Sequence, residues 1–237
     1  MVNTSTRSDA PELMDDFAME GEVLRDALDK IARINHLLGG NHVTLEGVKQ
    51  LLKHSPPEKK VTILDVGCGN GDMLRTLADC AKSVDRRFEL LGIDANQFTI
   101  NHARHLSSAY PNISYRCVNI FDELKKEQSF DIVLCTLTLH HFKDEEIRSL
   151  LTAFAKCTRR GFIINDLHRS AIAYYLFQAI CFLFGLNKMS RDDGLVSILR
   201  GFKKQDLLVF SQQLNFRNYS IKWKWAFRYQ WIVKSYG

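Results

Sequence analysis

The chain lacks the cysteine and charge patterns that mark several large classes of protein. Its six cysteines are scattered and form no Cys-x-x-Cys pair, which disfavours both a metal site and a disulfide framework. A chain of this kind suits a reducing compartment, so we expect a cytoplasmic protein that binds no metal. The net charge of +5 is mild, and no basic cluster is larger than Lys222, Lys224 and Arg228. We therefore expect no nucleic-acid partner.

Long hydrophobic runs and a secretory leader are also missing. Residues 1–12 are polar and contain no apolar core of the kind that a secretory signal needs. The longest apolar run, Ala171 to Leu186, is shorter than the roughly 20 residues of a membrane-spanning helix. We expect no transmembrane segment and interpret this run as a buried or covering helix.

Proline is scarce, and two of the four prolines stand together at Pro56-Pro57. This break predicts a division of the chain into residues 1–54 and residues 55–237. We expect the first part to be a small, lid-like helical extension and the second to be the main domain.

The extension carries two helical patterns. Apolar residues recur at helical spacing from Val23 to Leu38, and Gly39-Gly40 follows as a stop signal. A second helix is predicted from Thr44 to Lys53, with Thr44 as its N-cap. Residues 1–20 are interpreted as a loose arm.

Strand and helix patterns alternate in the main domain. Runs rich in β-formers predict strands at 61–66, 88–93, 113–118, 130–135 and 161–165. Helical patterns predict helices at 71–82, 96–108, 144–157 and 170–186. This alternation implies a parallel sheet with helices on both faces, which is an α/β, Rossmann-like fold.

The C-terminal segment departs from this alternation. From Phe216 to Val233, β-formers fill nearly every second position, which predicts two strands joined by a tight turn. A short connection forces antiparallel pairing, so we expect a C-terminal antiparallel hairpin at one edge of the parallel sheet.

The most informative stretch runs from Val61 to Gly71 and reads VTILDVGCGNG. An apolar, β-branched run is followed by glycines at every second position, which permit a tight turn and close approach of the backbone to a ligand. The fingerprint of NAD-binding loops is G-x-G-x-x-G. Here the spacing is G-x-G-x-G, and an acid, Asp65, stands two residues before the first glycine.

This arrangement resembles motif I of the class I S-adenosylmethionine-dependent methyltransferases. The resemblance implies that S-adenosylmethionine is the cofactor. It also implies that Asp65, Gly67, Cys68 and Gly69 hold the methionine end of that cofactor.

Asp94 ends the second predicted strand and is followed by Ala95. A carboxylate at this position can accept two hydrogen bonds from a ribose diol, so both residues are predicted to contact the cofactor. The alternative is that Asp94, with Asn96, caps the helix that follows.

Two later strand ends supply the remaining predicted cofactor contacts. Asn119 stands where relatives carry an acid for the adenine amino group, and its side-chain oxygen can still accept a hydrogen bond. Ile120 and Phe121 are predicted to pack against the adenine ring, although Phe121 as a core residue is the alternative. Thr136 is predicted to face the methyl donor because ligands bind at the carboxyl ends of parallel strands.

Two histidines are candidates for a catalytic base. His140 lies in the segment LHHF, which is similar both to segments whose histidine only packs and to the base-bearing segment of aromatic O-methyltransferases. His168 follows the fifth strand together with Asp166 and Arg169, and these three polar residues are predicted to line an acceptor pocket. An imidazole near its usual pKa can take a phenolic proton during methyl transfer. The alternatives are that Asp166 or Ser170 caps the next helix and that Arg169 is solvated.

The acceptor is expected under an aromatic cover. Residues 170–214 include a helix from 170 to 186, rich in tyrosine and phenylalanine, and the segment SRDDGLVSILRGF, which we interpret as a loop. The resemblance implies that insertions here cover the substrate, so a small, apolar or phenolic acceptor is expected. A homodimer interface and contact with a membrane surface are rival explanations.

The main hypothesis is methyl transfer to a hydroxyl of a small aromatic or lipidic acceptor. The segment after the fourth strand lacks the Asn/Asp-Pro-Pro-aromatic motif of enzymes that methylate amino groups of nucleic-acid bases. A quinone-type C-methyltransferase is the first alternative. A NAD-dependent oxidoreductase and a non-catalytic cofactor-binding module are alternatives from other classes.

Overall fold

A computed structural model describes residues 2–56, 59–83 and 86–235. Its strands are β1 Val61–Val66, β2 Phe88–Asp94, β3 Ile113–Cys117, β4 Phe130–Thr136, β5 Thr158–Leu167, β6 Tyr219–Lys224 and β7 Arg228–Lys234. They form a seven-stranded sheet in the order β3-β2-β1-β4-β5-β7-β6. Strands β1 to β5 pair in parallel, while β7 pairs antiparallel with both β5 and β6. The predicted α/β fold with a C-terminal hairpin is confirmed.

Helices flank both faces of this sheet. The α-helices of the described residues are α1 Glu22–Leu37, α2 Gly40–Leu51, α3 Asp72–Ser83, α4 Gln97–Leu106, α5 Ile120–Glu123, α6 Asp144–Cys157, α7 Ala171–Leu183, α8 Lys188–Arg200 and α9 Lys204–Gln213. Short 3-10 turns form at Leu13–Asp15 and Leu139–His141. None of the described helices combines the length and the apolarity that crossing a membrane requires.

The central strands are apolar because both of their faces are covered. In β1, Leu64 belongs to a cluster with Phe154 of α6, whereas Ile63 belongs to a cluster on the other side with Leu77 of α3. All four side chains are fully buried. Burial of a side chain of this size contributes about 1.5–3 kcal/mol, so the run that identifies β1 in the sequence also anchors it in the core.

The predicted N-cap at Thr44 is wrong. Gly39, with a φ of 74°, ends the first helix as predicted, and α2 begins at once at Gly40. Thr44 therefore lies inside α2, where it is fully buried and its hydroxyl accepts a hydrogen bond of 2.9 Å from Asn165 Nδ2. The helix docks closely because a Cβ on Gly47 would lie 3.0 Å from Ile163 of β5.

The interpretation of residues 1–20 as a loose arm is also wrong. Arg7 donates hydrogen bonds of 2.9 Å to the carbonyl oxygens of His140 and Phe142 and pairs with Asp144 at 2.7 Å. Glu12, further along the arm, is only 6% exposed. The arm packs over the loop after β4 because its charged side chains find partners there.

The segment interpreted as the loop SRDDGLVSILRGF is mostly helix α8. Its glycine, Gly194, lies against α7, and a Cβ at that position would come within 2.4 Å of the Phe177 ring. Close packing of the two helices thus outweighs the weak helix propensity of glycine, serine and aspartate.

Candidate active site

A cavity of about 730 Å³ opens at the carboxyl ends of β1, β2 and β4. Its lining contains all the predicted cofactor residues, namely Asp65, Gly67, Cys68, Gly69, Asp94, Ala95, Asn119, Ile120, Phe121 and Thr136. It also contains His140, one of the two predicted bases. The fold therefore brings these separate sequence segments to one place.

The glycine loop at the cavity edge depends on the absence of side chains. Gly67 has a φ of +66°, and an added Cβ would lie 2.3 Å from Thr138 Cγ2. Gly69 has a φ of +51° but meets nothing closer than Leu28 at 4.0 Å. Both glycines supply the left-handed conformation, and Gly67 also makes room for the chain after β4.

Two carboxyl groups, those of Asp65 and Asp94, line the cavity at this loop. Asp65 is 2% exposed, and its Oδ1 has no hydrogen-bond partner among the described residues. Burial, together with the charge of Asp94, raises the pKa of Asp65 to about 8. Asp94 accepts hydrogen bonds from Gly69 N at 3.2 Å and from Asn96 N at 3.0 Å. Burial raises the pKa of Asp94, and these hydrogen bonds oppose the rise.

Helix α4 is capped by Asn96 rather than by Asp94. Asn96 Oδ1 accepts a hydrogen bond of 2.8 Å from Thr99 N. The carboxylate of Asp94 instead connects the glycine loop to the end of β2, which keeps it at the cavity. Its contact with a ribose stays a prediction.

Asn119 serves as the N-cap of the short helix α5. Its side-chain oxygen accepts a hydrogen bond of 2.9 Å from Phe121 N, so this oxygen is directed to the backbone. Phe121 lines the cavity and meets Phe142 edge to face, with 5.8 Å between ring centroids. The predicted packing of Phe121 on adenine stays a prediction.

His140 and Asp166 form a buried pair at the ends of β4 and β5. His140 Nδ1 lies 2.7 Å from Asp166 Oδ1, and His140 N donates to Asp166 Oδ2 at 3.1 Å. Burial alone would raise the pKa of Asp166, but the charge and hydrogen bonds of His140 lower it. When the ring of His140 is neutral, a hydrogen bond donated from Nδ1 to an ionised Asp166 leaves a lone pair on Nε2. That Nε2 is buried and has no hydrogen-bond partner among the described residues.

The N-terminal arm covers this pair with residues that sequence reasoning missed. Glu12 Oε1 lies 3.9 Å from both His140 Nε2 and His141 Nδ1. Arg200 Nη1 lies 3.3 Å from the same oxygen and 2.7 Å from Asp15 Oδ2. One ligand atom from each of Glu12, His140 and His141 falls within 4.8 Å of the others, a spacing that an ion can bridge. Arg200 already supplies positive charge here, and the absence of a metal stays a prediction.

The structure places His168 outside the described lining of the cavity. Trp223 Nε1 donates a hydrogen bond of 3.2 Å to His168 Nδ1, and the rings of Phe227 and Tyr229 lie 6.3 and 5.1 Å away between centroids. Burial lowers the pKa of His168, and the charges of Lys203 and Arg169 add to this effect. His168 therefore packs under the C-terminal hairpin, whereas His140 faces the cavity.

Arg169 and Ser170, which follow His168 in the chain, stabilise the fold. Arg169 is 2% exposed and donates to Gly201 O at 2.6 Å and to Asp206 Oδ2 at 3.0 Å, so the alternative that it is solvated is wrong. Asp166, His168 and Arg169 are all outside the described lining of the cavity, so the prediction that they line an acceptor pocket is also wrong. Ser170 caps α7 by accepting a hydrogen bond from Ala173 N, as predicted.

The other half of the cavity is apolar. Helices α1 and α7 and the tip of the hairpin contribute Leu24, Leu28, Ile31, Ile34, Ala173, Leu176, Phe177, Ile180, Trp225 and Phe227. The outer side of α7 is also apolar, and Phe182 and Leu183 are 92% and 78% exposed. The helix thus has one face on the cavity, and its other face is the place where a homodimer or membrane contact is predicted.

Comparison with known proteins identifies the central part of the chain. Residues 63–161 match the family model described as a methyltransferase domain. The chain contains a class I S-adenosylmethionine-dependent methyltransferase domain.

The ubiquinone biosynthesis O-methyltransferase of Hydrogenovibrio crunogenus is 31% identical over 140 residues, which cover 57% of this chain and 53% of that protein. The protein of the same name from Sinorhizobium fredii is 32% identical over 110 residues, 46% of this chain and 41% of that relative. The chain thus matches about half the length of these relatives.

Solved structures share the methyltransferase fold over most of the chain. The plantazolicin methyltransferase BpumL in complex with SAH (S-adenosylhomocysteine) has a TM-score of 0.66 at 16% identity, over 88% of this chain and 89% of its own. Magnesium protoporphyrin IX methyltransferase from Synechocystis PCC 6803, with bound S-adenosylmethionine, has a TM-score of 0.56 at 14% identity, and the match covers 94% of this chain and 89% of that chain. The cofactor of this methyltransferase domain is S-adenosylmethionine, not the NAD of the alternative hypothesis.

The cavity of the methyltransferase domain suits the charge of this cofactor. Asp65 Oδ1 is buried and has no hydrogen-bond partner among the residues that the structure describes, and the nearby Asp94 has a raised pKa. S-adenosylmethionine carries an ammonium group and a ribose diol, and both groups can donate hydrogen bonds to carboxylates. The unpaired oxygen of Asp65 thus fits a cationic ligand, and its contact with the cofactor stays a prediction.

Proposed function

We propose that this chain methylates a hydroxyl group of a small aromatic or lipidic acceptor, with His140 as the general base. The observation that carries the proposal is the buried His140–Asp166 pair on the cavity lining, in which His140 Nε2 has no hydrogen-bond partner among the described residues. The names of the relatives, which are O-methyltransferases, support the same reaction type.

Asp166 and His140 would have different roles in this reaction. Asp166 fixes the imidazole tautomer and stabilises the positive charge that forms when Nε2 takes a proton. His140 is rigid because both its ring and its backbone N–H bind the same carboxylate. The apolar walls from α1 and α7 exclude water, which strengthens the interaction of a base with a hydroxyl proton.

Asp65, Gly67, Gly69 and Asp94 would hold the cofactor in this proposal. S-adenosylmethionine supplies a methyl carbon that is already electrophilic. The protein therefore has to position the acceptor and remove its proton, and positioning of reactants can contribute about 7–11 kcal/mol.

The experiment compares His140→Gln with His168→Gln, using methyl-labelled cofactor and a panel of phenols. Calorimetry with SAH first shows that each variant still binds the cofactor. We expect His140→Gln to lose about 10²- to 10⁴-fold in turnover, since this is the usual contribution of a general base. His168→Gln is the matched control and should retain most activity, because His168 lies outside the cavity lining. Equal turnover by both variants would remove His140 from the mechanism.

A further inference from the structure

Arg228 is a buried cation on the wall of the cavity, in the half that we propose binds the acceptor. It is the first residue of β7, is 3% exposed and lines the cavity. In the sequence it stands in a basic cluster with Lys222, which is exposed. Arg228 is buried instead because β7 lies between β5 and β6, and nearly all of its residues are buried.

The positive charge of Arg228 has no carboxylate partner among the described residues. Its Nη1 donates to the neutral amide oxygen of Asn35 at 2.7 Å, and its Nε has no hydrogen-bond partner in the same part of the chain. Burial lowers the pKa of Arg228 to about 10, and the charge of Asp166 opposes this effect. Both oxygens of Asp166 are already bound to His140. Burial of a cation without an anion is costly, which indicates that an anion completes this site.

A chain of amides holds Arg228 in place. Asn35 Nδ2 donates to Asn41 Oδ1 at 2.6 Å, and Asn41 Nδ2 donates to Asp72 Oδ2 at 2.5 Å. The guanidinium fits here because Gly40 has no side chain, since a Cβ there would lie 2.4 Å from Arg228 Nη1. All three partners, Asn35, Asn41 and Asp72, line the cavity. The result is a polar wall in a largely apolar space, with Arg228 at one end and Asp72 at the other.

Arg228 lies at the same edge of the sheet as the proposed base. In the β5–β7 pairing Leu167 faces Arg228, and Asp166, the partner of His140, faces the next residue, Tyr229. One small molecule in the cavity can thus meet both the imidazole and the guanidinium. The guanidinium fork matches a carboxylate.

We propose that Arg228 binds a carboxylate group of the acceptor, so that the substrate is a hydroxylated aromatic or lipidic acid. This inference rests on the proposed function, because it places the acceptor in the same cavity. A carboxylate at one end and a hydroxyl at the other would orient the molecule with its hydroxyl at His140 Nε2.

The test measures binding alone, so it does not depend on turnover. Two phenols are titrated calorimetrically into the protein saturated with SAH. They are 4-hydroxyphenylacetate and 4-ethylphenol, and they differ only in that the first has a carboxylate where the second has a methyl group. We expect the acid to bind at least about tenfold more tightly, as for a hydrogen bond to a charged group. Arg228→Gln should reduce this preference to about twofold or less, and Arg228→Lys should keep part of it. Lys222→Gln, with the same change of net charge on the same hairpin, should leave it intact.

Two results would overturn the inference. One is equal affinity for the two phenols in the unaltered protein, including no binding of either. The other is a preference for the acid that survives Arg228→Gln. The His140→Gln variant separates this inference from the proposed function, because it should lose turnover and still prefer the acid.

Discussion

Asp166 binds His140 twice, through the ring Nδ1 at 2.7 Å and through the backbone N–H at 3.1 Å. This double contact sets both the position and the tautomer of the imidazole, and it joins the loop after β4 to the end of β5. A general base needs a fixed position and tautomer, so the pair supports the proposed catalytic interpretation of LHHF.

The first prediction concerns Asp166→Asn. The amide keeps the shape of the side chain but removes the charge that stabilises a protonated His140. We expect kcat/KM to fall by about 10²-fold or more, with SAH affinity unchanged. Steady-state kinetics and calorimetry check this, and circular dichroism confirms that the variant is folded. Wild-type kcat/KM in the folded variant would show that the carboxylate is not needed.

The second prediction concerns the pH dependence of cofactor binding. Because burial and Asp94 raise the pKa of Asp65 to about 8, its carboxyl group is mostly protonated near pH 7 in the free protein. The ammonium group of SAH favours the ionised carboxylate, so binding should release a proton, and affinity should rise from about pH 6 to about pH 8. Calorimetry in buffers of different ionisation enthalpy measures the proton. Asp65→Asn should abolish the release, and an unchanged release in that variant would contradict the assignment.

The third prediction compares two glycines of the same loop. Gly67→Ala adds a Cβ 2.3 Å from Thr138 at a φ of +66°, whereas Gly69→Ala is strained at +51° but has open space. The left-handed conformation costs about 1–2 kcal/mol in both variants, and overpacking adds about 1–3 kcal/mol at Gly67. Thermal and urea unfolding should therefore rank Gly67→Ala as the less stable. The reverse ranking would mean that the contact with Thr138 is easily relieved.

The fourth prediction concerns the N-terminal arm. Arg200 pairs with Asp15 and Glu12, and loss of a buried partner exposes the arm to local opening. Arg200→Met should increase hydrogen exchange in residues 7–19 by about tenfold or more. The control is Arg191→Met on the same helix, because Arg191 is half exposed and pairs with the adjacent Asp192. Equal exchange in the two variants would show that Arg200 does not hold the arm.

The fifth prediction is that acid weakens the contacts that hold the N-terminal arm in place. Burial would raise the pKa of Asp15, but hydrogen bonds from His141 and Arg200 lower it well below its usual value. A lowered pKa in the folded state means that this contribution is complete above the unfolded pKa, about 3.9, and is lost as the pH falls below it. The protection of residues 7–19 against exchange, after correction for the pH dependence of intrinsic exchange, should therefore fall only below about pH 4.

The parts of the site that the sequence predicted are local. The run VTILDVGCGNG specifies a strand, a turn and a helix start within 11 residues, so its position at the cavity follows from its own pattern. Glu12 and Arg200 were not predicted, because they are brought together by a contact between residues 188 positions apart in the chain. Helix α8 escaped prediction because its packing on α7 outweighs its composition. Arg228 was grouped with surface lysines, since only the three-dimensional register shows which strand residues turn inward.

The central claim is that the methyl group goes to oxygen, and NMR of the product tests it most directly. The protein is incubated with S-adenosylmethionine labelled with ¹³C in the methyl group and with 4-hydroxyphenylacetate, and the chemical shift of the labelled carbon is recorded. We predict a methoxy signal, which His140→Gln should reduce strongly. A methyl signal on a ring carbon would support the C-methyltransferase alternative, and no labelled product would contradict the proposed acceptor class.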